Sequence, residues 1–572
     1  MGKSKSKSQK NSARKNSSQK DEAALSPKEE AALKRKKAQE RKDLIQFTGS
    51  IFGFSIVFGG LLSFALGDGK IGLGLIFGIP CFAFSYKYPR YGLWAFWVYL
   101  PFSGTITYWV AGGNALFQLA KDAFYIPALF GLLQQCKRKR LPIIVFKGLM
   151  PSLYILLAFL MLTLFTVNGA LQLSGEASGK PFLQGILGLK VMLGYFPLVF
   201  CAYYLIQNKK DLVFLGRLTL LLAIACCLLG FVQYWMLDSG RCVGTRGLAG
   251  DDLFKATLGA KCLVGGSLVF SPEVDMVRLP GTFVSPWHWA WFLISNSALT
   301  FTTAFNDPSI LWRVGGLAGM ALVFMNAVIS GQRIALVLVP FVTVVLLVLT
   351  GQVANLKRFL PIGVGLAVVL VGVSASNPAV VQERWQSTVS RWEASPPTAF
   401  ITQQFQWALV KTTGDPLGDG LGLATNSTRA FGHVELVETF HPKVMFETGP
   451  FGLAAFMLFV TVLTILTFKA YRSVRDRNLR SYGASFWVFV LIISYWPYWY
   501  PLDTDPVGVY YWFLAGVILK LPELDKQEQL LKAEREEAEN QEGKDKNKKG
   551  KRKQSKSKKG KKQRLRKASS YP

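Results

Sequence analysis

The sequence predicts an all-α polytopic integral membrane protein with two disordered basic tails. Two observations predict it. Half of the 572 residues are hydrophobic and 18% are charged, yet the formal net charge is +31. The charge is also segregated: residues 1–43 carry 14 Lys/Arg against 6 Asp/Glu, and residues 522–572 carry 18 against 9. The tails therefore hold 17 of the net charges and little apolar mass. The middle, 44–521, is a succession of long apolar runs. This excludes a soluble globular enzyme, a disulfide-rich secreted domain and a collagen-like or wholly disordered chain.

The N-terminal tail has no apolar stretch beside its charges and is not read as a secretory signal. Met1, Gly2 and Ser6 fit a short myristoylation pattern. The C-terminal run 548–567 is Lys-rich, Ser-punctuated and free of aromatics. It lacks the stacking residues of a nucleic-acid module, so no nucleic-acid partner is expected. It reads instead as a solvated tail that touches anionic lipid headgroups.

A helix needs about 20 apolar residues to cross the hydrocarbon core. Candidate spans fall near 45–66, 71–86, 91–110, 115–134, 142–167, 184–206, 212–236, 286–305, 310–329, 334–350, 359–374, 449–468, 484–500 and 507–521. With the shortest set aside, 12–14 transmembrane helices are expected. The positive-inside rule then orients them. Basic residues at 87–90, 136–140, 209–210, 357–358 and 469–480 all fall in even-numbered gaps. Counted from a cytoplasmic start, these gaps and both termini lie inside.

The outer face receives two long segments, 237–285 and 375–448, which exceed simple connections and are expected to carry function. Cys242 and Cys262 lie in the first, where a disulfide or two free thiols are the alternatives. The other five cysteines read as packing residues, and no Cys/His spacing matches a zinc site. No metal or cofactor is expected.

All three histidines, His288, His433 and His441, map to the outer face or its edge. His288 sits among tryptophans at the start of a span, which reads as an interfacial aromatic belt. His433 lies in a Gly-rich loop. His441 stands just before a span, placed to deprotonate an acceptor at the membrane surface. Arg333, in Ser330-Gly-Gln-Arg333, and Arg278, in Arg278-Leu-Pro-Gly-Thr-Phe283, lie at the outer edge. Their guanidinium groups suit a phosphate or pyrophosphate, and snorkelling is the alternative for Arg333. The Arg384-Trp385 and Arg391-Trp392 pairs repeat two helical turns apart, which predicts an amphipathic surface helix. Trp385 is also a candidate for stacking on sugar. In Pro416-Leu-Gly-Asp-Gly-Leu-Gly422, Gly420 and Gly422 allow close approach of backbone to a substrate. Lys147 and Lys190 lie within spans and either line a cavity or snorkel. Lys121 and Asp122 read as a local charge pair.

In order and sidedness these motifs resemble the O-antigen ligase and polysaccharide polymerase superfamily. Arg278-Leu-Pro-Gly-Thr-Phe283 is similar to the family's Arg-x-x-Gly-Thr-Phe. Ser330-Gly-Gln-Arg333-Ile-Ala is similar to its Ser-Gly-Ser-Arg-Gly-Ala. A large outer loop and a histidine ahead of Glu447-Thr-Gly-Pro-Phe-Gly-Leu453 follow. The likeness covers roughly residues 180–520 and excludes the tails. It implies a GT-C-like fold and a metal-independent glycosyltransferase. Such an enzyme takes a glycan from a polyprenyl pyrophosphate, such as undecaprenyl pyrophosphate, to an acceptor glycan or lipid. Arg278 and Arg333 would hold the pyrophosphate, and His441 would activate or orient the acceptor hydroxyl. The setting implied is the inner membrane of a Gram-negative-type envelope. The family's ligase pattern has Asn, Ser or Gln after the histidine and a longer spacer to the glycine. Here Pro442 follows and Gly449 comes early, so the looser assignment, a polymerase or a ligase for another extracellular polysaccharide, is expected in place of a lipid A core ligase. The competing expectations are a small-solute transporter of the inorganic-carbon type and a non-catalytic assembly partner. The sequence offers the transporter no inverted repeat or paired broken helices.

Overall fold

The computed structural model describes residues 27–568 except 68, 114–119, 176–178, 250–252, 254–256, 272–275, 353–381, 383–385, 387–388, 390–392, 394–395, 430 and 499–500. The expected span 359–374 and the Arg-Trp repeat, Trp385 included, lie outside the described residues. The described chain is almost entirely helical. Seven helices are long and apolar enough to cross a membrane, and two shorter apolar ones accompany them.

Residues 1–84 and 85–572 form two units. In the first, α1 (Pro27–Leu66) and α2 (Gly69–Lys87) form a helical hairpin. It closes on small residues: a Cβ on Gly59 would meet Ile76 Cγ1 at 2.8 Å and the Gly72 carbonyl oxygen at 2.9 Å. Only glycine lets the two backbones approach this closely.

The second unit begins with α3 (Pro89–Tyr99), continued by a 3₁₀ turn and a π-helical stretch, Thr105–Val110. Then come α4 (Asp122–Arg138), α5 (Met150–Thr163), α6 (Gly169–Ser174), α7 (Pro181–Leu193), α8 (Leu198–Leu205) and α9 (Lys209–Asp238). A two-stranded antiparallel hairpin follows, β1 (Val269–Ser271) with β2 (Met276–Arg278), Phe270 facing Val277. The remainder is α10 (Pro286–Asn306), α11 (Ile310–Ile329), α12 (Arg333–Leu349), α13 (Pro397–Lys411), α14 (Phe440–Ser473), α15 (Arg477–Tyr495) and α16 (Val507–Ala568).

At the centre stands α10, buried nearly all round. Helices α9, α11, α12 and α15 surround it. Several of its hydroxyls are satisfied within the helix: Ser295 Oγ donates to the Trp291 carbonyl at 2.7 Å and Thr300 Oγ1 to that of Asn296 at 2.6 Å. A dry interior requires such internal partners. Trp289 and Trp291 are 0% and 1% exposed. They belong to the core, which corrects the expectation of an interfacial belt around His288.

The loops gather at two ends. Arg90 pairs with Asp211 at 3.1 Å, Arg217 with Asp307 at 2.8 Å, and Asp476 with Lys209 at 3.4 Å and Lys532 at 3.1 Å. Arg90, Lys209, Asp211, Asp307 and Asp476 lie in even-numbered gaps, Arg217 in the first turns of the span after one, and Lys532 in the C-terminal tail. The odd-numbered gaps meet at the other end, where Gly104 N donates to the Thr282 carbonyl and Lys180 N to that of Phe431.

Two helices enter segments expected to be disordered. α1 begins at Pro27, and α16 runs through the C-terminal tail to Ala568. These stretches are rich in Glu, Lys, Gln and Ala, strong helix formers. Opposite charges four residues apart, such as Glu528 and Lys532, add support.

Candidate functional site at the end opposite the basic loops

The two candidate arginines are joined through backbone. Arg278 ends β2, and the next amide, Leu279 N, donates to the Ser330 carbonyl at 3.0 Å. The turn at Gly331 needs its positive φ of 70°. A Cβ there would sit 3.4 Å from Arg278 Cγ. Arg333 then opens α12. The Arg278 guanidinium carbon lies 5.5 Å from the Trp287 ring centroid, a cation–π distance. Tyr498 stands near enough to Arg333 to act on its charge.

His441 occupies a different setting from the one expected. α14 is two arms joined at Gly449, whose φ of 72° and ψ of 177° break the helix. The short arm folds back along the long one. Phe440 and His441 have ring centroids 5.4 and 6.4 Å from that of Phe456. The reversal draws His441 into the protein, where it is 5% exposed. Its Nε2 lies 3.3 Å from the Ser494 carbonyl oxygen. A carbonyl only accepts, so Nε2 carries the proton and Nδ1 the lone pair. Nδ1 has no partner among the described residues.

The end of α15 shows how deep this lies. Ser494 Oγ is 3.2 Å from Thr464 Oγ1, in the middle of the long arm, and 2.8 Å from Tyr511 Oη. Helix α15 therefore stops part-way up the bundle, and residues 501–506 lie buried or half-buried within it. Irregular backbone at such depth is tolerated where protein surrounds it or a polar cavity adjoins it.

That segment carries Asp503 and Asp505, which pair with Lys443 on the short arm and Lys121 ahead of α4. Beside them Lys190 pairs with Asp122 at 2.8 Å. Both Lys121 and Lys190 place Nζ 5.7 Å from the Tyr195 ring centroid. Lys121 and Asp122 thus pair with other elements and not with each other, because side chains adjacent in a helix diverge. Lys147 is exposed at the start of a 3₁₀ turn and is the first residue of the candidate span Lys147–Ser174. Glu447 Oε1 accepts from Ala424 N and Thr425 Oγ1, each at 2.9 Å. His288 Nδ1 is 2.6 Å from Ser285 Oγ. The ring is close enough to Asp505 and Lys121 to be affected by both charges. Sequence reasoning passed over Asp503, Asp505, Lys443 and Glu447. The signal for the first two was two acids in Pro501-Leu-Asp-Thr-Asp-Pro506, between apolar runs.

The Gly-rich loop packs against protein backbone. Gly418, Gly420 and Gly422 have φ of 71°, 125° and 81°. A Cβ on Gly420 would press on the Asn168 amide at 3.1 Å. One on Gly422 would run into the Gln184 carbonyl, and one on Gly449 into that of Pro416. Asn168 closes the contact, accepting from Leu421 N at 2.9 Å and donating to the Leu421 carbonyl at 3.0 Å. The close approach expected of Gly420 and Gly422 is therefore made to Asn168 and Gln184. Burial pushes the Asp419 carboxyl up, and the Asp415 charge adds to the effect.

Cys242 and Cys262 form a disulfide. It lies in a small apolar cluster with Leu268, Phe270, Val277 and Leu279, which supports the strand bearing Arg278. His433 is exposed, with Nε2 3.8 Å from Glu435.

No protein-family model matches the chain, and no curated protein matches it.

Proposed function

We propose that the chain is an outer-face glycosyltransferase, a polysaccharide polymerase or ligase. It would transfer a glycan from a polyprenyl-pyrophosphate-linked donor to an acceptor hydroxyl. The observation that carries this reading is the backbone bond from Leu279 to Ser330, which couples the Arg278 strand to the Arg333 turn. Two guanidinium groups on joined segments suit an anion with two phosphates. Their charge would stabilise the departing pyrophosphate without a divalent ion. In the transfer, the acceptor oxygen bonds to the anomeric carbon and the carbon–oxygen bond to pyrophosphate breaks. The hydroxyl proton passes to His441 Nδ1, and polyprenyl pyrophosphate leaves. Both termini would be cytoplasmic in a plasma (inner) membrane, with the basic tails against anionic lipid.

The test is surface polysaccharide from a deletion strain, rescued with wild type or Arg333→Ala and resolved by chain length. Long chains that return only with wild type support a polymerase. Full-length chains left on the lipid carrier support a ligase. An Arg333→Ala strain with normal product refutes both.

Solute transport is the second reading. It is favoured by the buried Lys–Asp pairs, by the break at Gly449 and by the end of α15 at Tyr495 inside the bundle, a kind of feature transporters use at binding sites. Uptake into vesicles holding only this protein discriminates.

A further inference from the structure

The reversed arm of α14 would not hold itself in place. Phe440–Thr448 is about two and a half turns long at 3.6 residues per turn, too short to be stable alone. His441 and Lys443 both lie on it. Val444, Met445 and Phe446 pack into the core, and Asp419 N donates to the Phe446 carbonyl at 2.9 Å. Among the described residues, its polar side-chain ties to the rest of the bundle are three. His441 Nε2 reaches the last turn of α15 at Ser494. Glu447 is held by Ala424 and Thr425. Lys443 reaches Asp503, on the segment that follows α15. Lys443 is 2% exposed and Asp503 has 13% of its side chain exposed. The pair therefore joins the arm to the Pro501–Asp503 turn that follows α15. His441 lies two residues before Lys443 on the same arm.

We propose that Lys443 and Asp503 are positioning residues: their ion pair fixes the short arm and thereby sets the His441 ring on Ser494 with Nδ1 unpartnered. The proposal rests on the reading of His441 as the acceptor base. It goes beyond that reading by assigning the base's alignment to a pair outside the motif set. Removing one partner of a buried ion pair strands the other charge, which drives the arm that carries it to move. If the ring turns or drifts by about 1 Å, the transfer rate falls by up to roughly 100-fold. Donor binding at Arg278 and Arg333 is unaffected, so kcat falls and the donor KM does not.

The chain has three histidines, so imidazole nitrogen spectra of the full-length, ¹⁵N-histidine-labelled protein in lipid nanodiscs read His441 directly. A His441→Gln sample assigns its signals. Wild type is expected to show one neutral tautomer with the proton on Nε2. Lys443→Met and Asp503→Asn should each shift or broaden those signals and leave exposed His433 unchanged. The exchanged pair, Lys443→Asp with Asp503→Lys, should restore them. Lys443→Arg, which keeps the charge, guards against a variant that fails to fold and should stay near wild type. An unchanged His441 signal in folded Lys443→Met overturns the proposal, as does an exchanged pair that folds but restores nothing. If the signals move as expected while transfer ignores His441→Gln, positioning stands and the acceptor-base reading falls.

Discussion

His441 and Phe456 have ring centroids 6.4 Å apart, whereas a continuous helix would separate them by about 22 Å at 1.5 Å per residue. The difference is made at Gly449. Its φ of 72° and ψ of 177° lie where only glycine is at ease. Gly449→Ala should cost at least about 1–3 kcal/mol in strain alone, with the Pro416 carbonyl in the way besides. Thermal unfolding in detergent measures it, and an unchanged midpoint would mean the arm does not fold back.

The Lys121–Asp505 pair is largely buried, with 14% and 19% of the side chains exposed. Asp505→Asn strands the lysine. The expected loss is about 3 kcal/mol, the lower end of the range for breaking a buried pair, since some water reaches both groups. Lys121→Met with Asp505→Leu should recover most of it. Denaturant unfolding of the two variants checks the order, which would be reversed if Lys121 were solvated.

Arg278→Ala and Arg333→Ala should each lower transfer by roughly 100-fold or more, the usual cost of deleting a donor to a developing anion. Because both would grip one group, the double variant should fall short of the product of the two losses. Arg333→Lys should not rescue, because lysine lacks the planar fork. Single-turnover transfer with a lipid-linked donor measures these effects.

Sidedness is open to direct test. A membrane-impermeant reductant followed by an impermeant maleimide should label Cys242 and Cys262 in intact cells. A cysteine at Lys532 should react only after permeabilisation. The reverse pattern would invert the orientation. Removing the disulfide with Cys262→Ser should cost about 3 kcal/mol for a loop of 20 residues.

Asp476 latches the root of α16. It caps α15 by accepting from Asn478 N at 2.9 Å and Leu479 N at 3.1 Å, and it pairs with Lys209 and Lys532. Burial alone would raise its carboxyl, but the Leu479 amide, Lys532 and Lys209 outweigh that and hold it below the usual range. Its contribution is therefore complete above the ordinary carboxylate pKa of about 4. It is lost as pH falls through the lower folded value. Asp476→Ala should cost roughly 1 kcal/mol as a lost cap. Amide exchange in residues 526–541 should rise, and a flat exchange profile would mean α16 is held elsewhere.

The helices of the bundle were legible in the sequence because crossing a membrane is a demand on local composition. Some 20 apolar residues suffice wherever they occur, and basic gaps mark one end. The expected spans 212–236, 286–305 and 310–329 correspond to α9, α10 and α11 within a few residues. The arginine motifs were visible for the same local reason. The helical stretches that begin at Pro27 and run to Ala568 were not legible from composition, because low hydropathy describes both a solvated coil and a solvated helix. What only the tertiary structure decided was pairing. Lys121 meets Asp505, Lys443 meets Asp503 and His441 meets Ser494 because Gly449 turns an arm back and α15 stops short. Gly449 and Pro450 announce a break, but its direction is set by the Pro416–Gly418 backbone packed against it. Hydropathy is a sum over neighbours in sequence, while a buried charge is settled by whichever opposite charge the fold brings within reach.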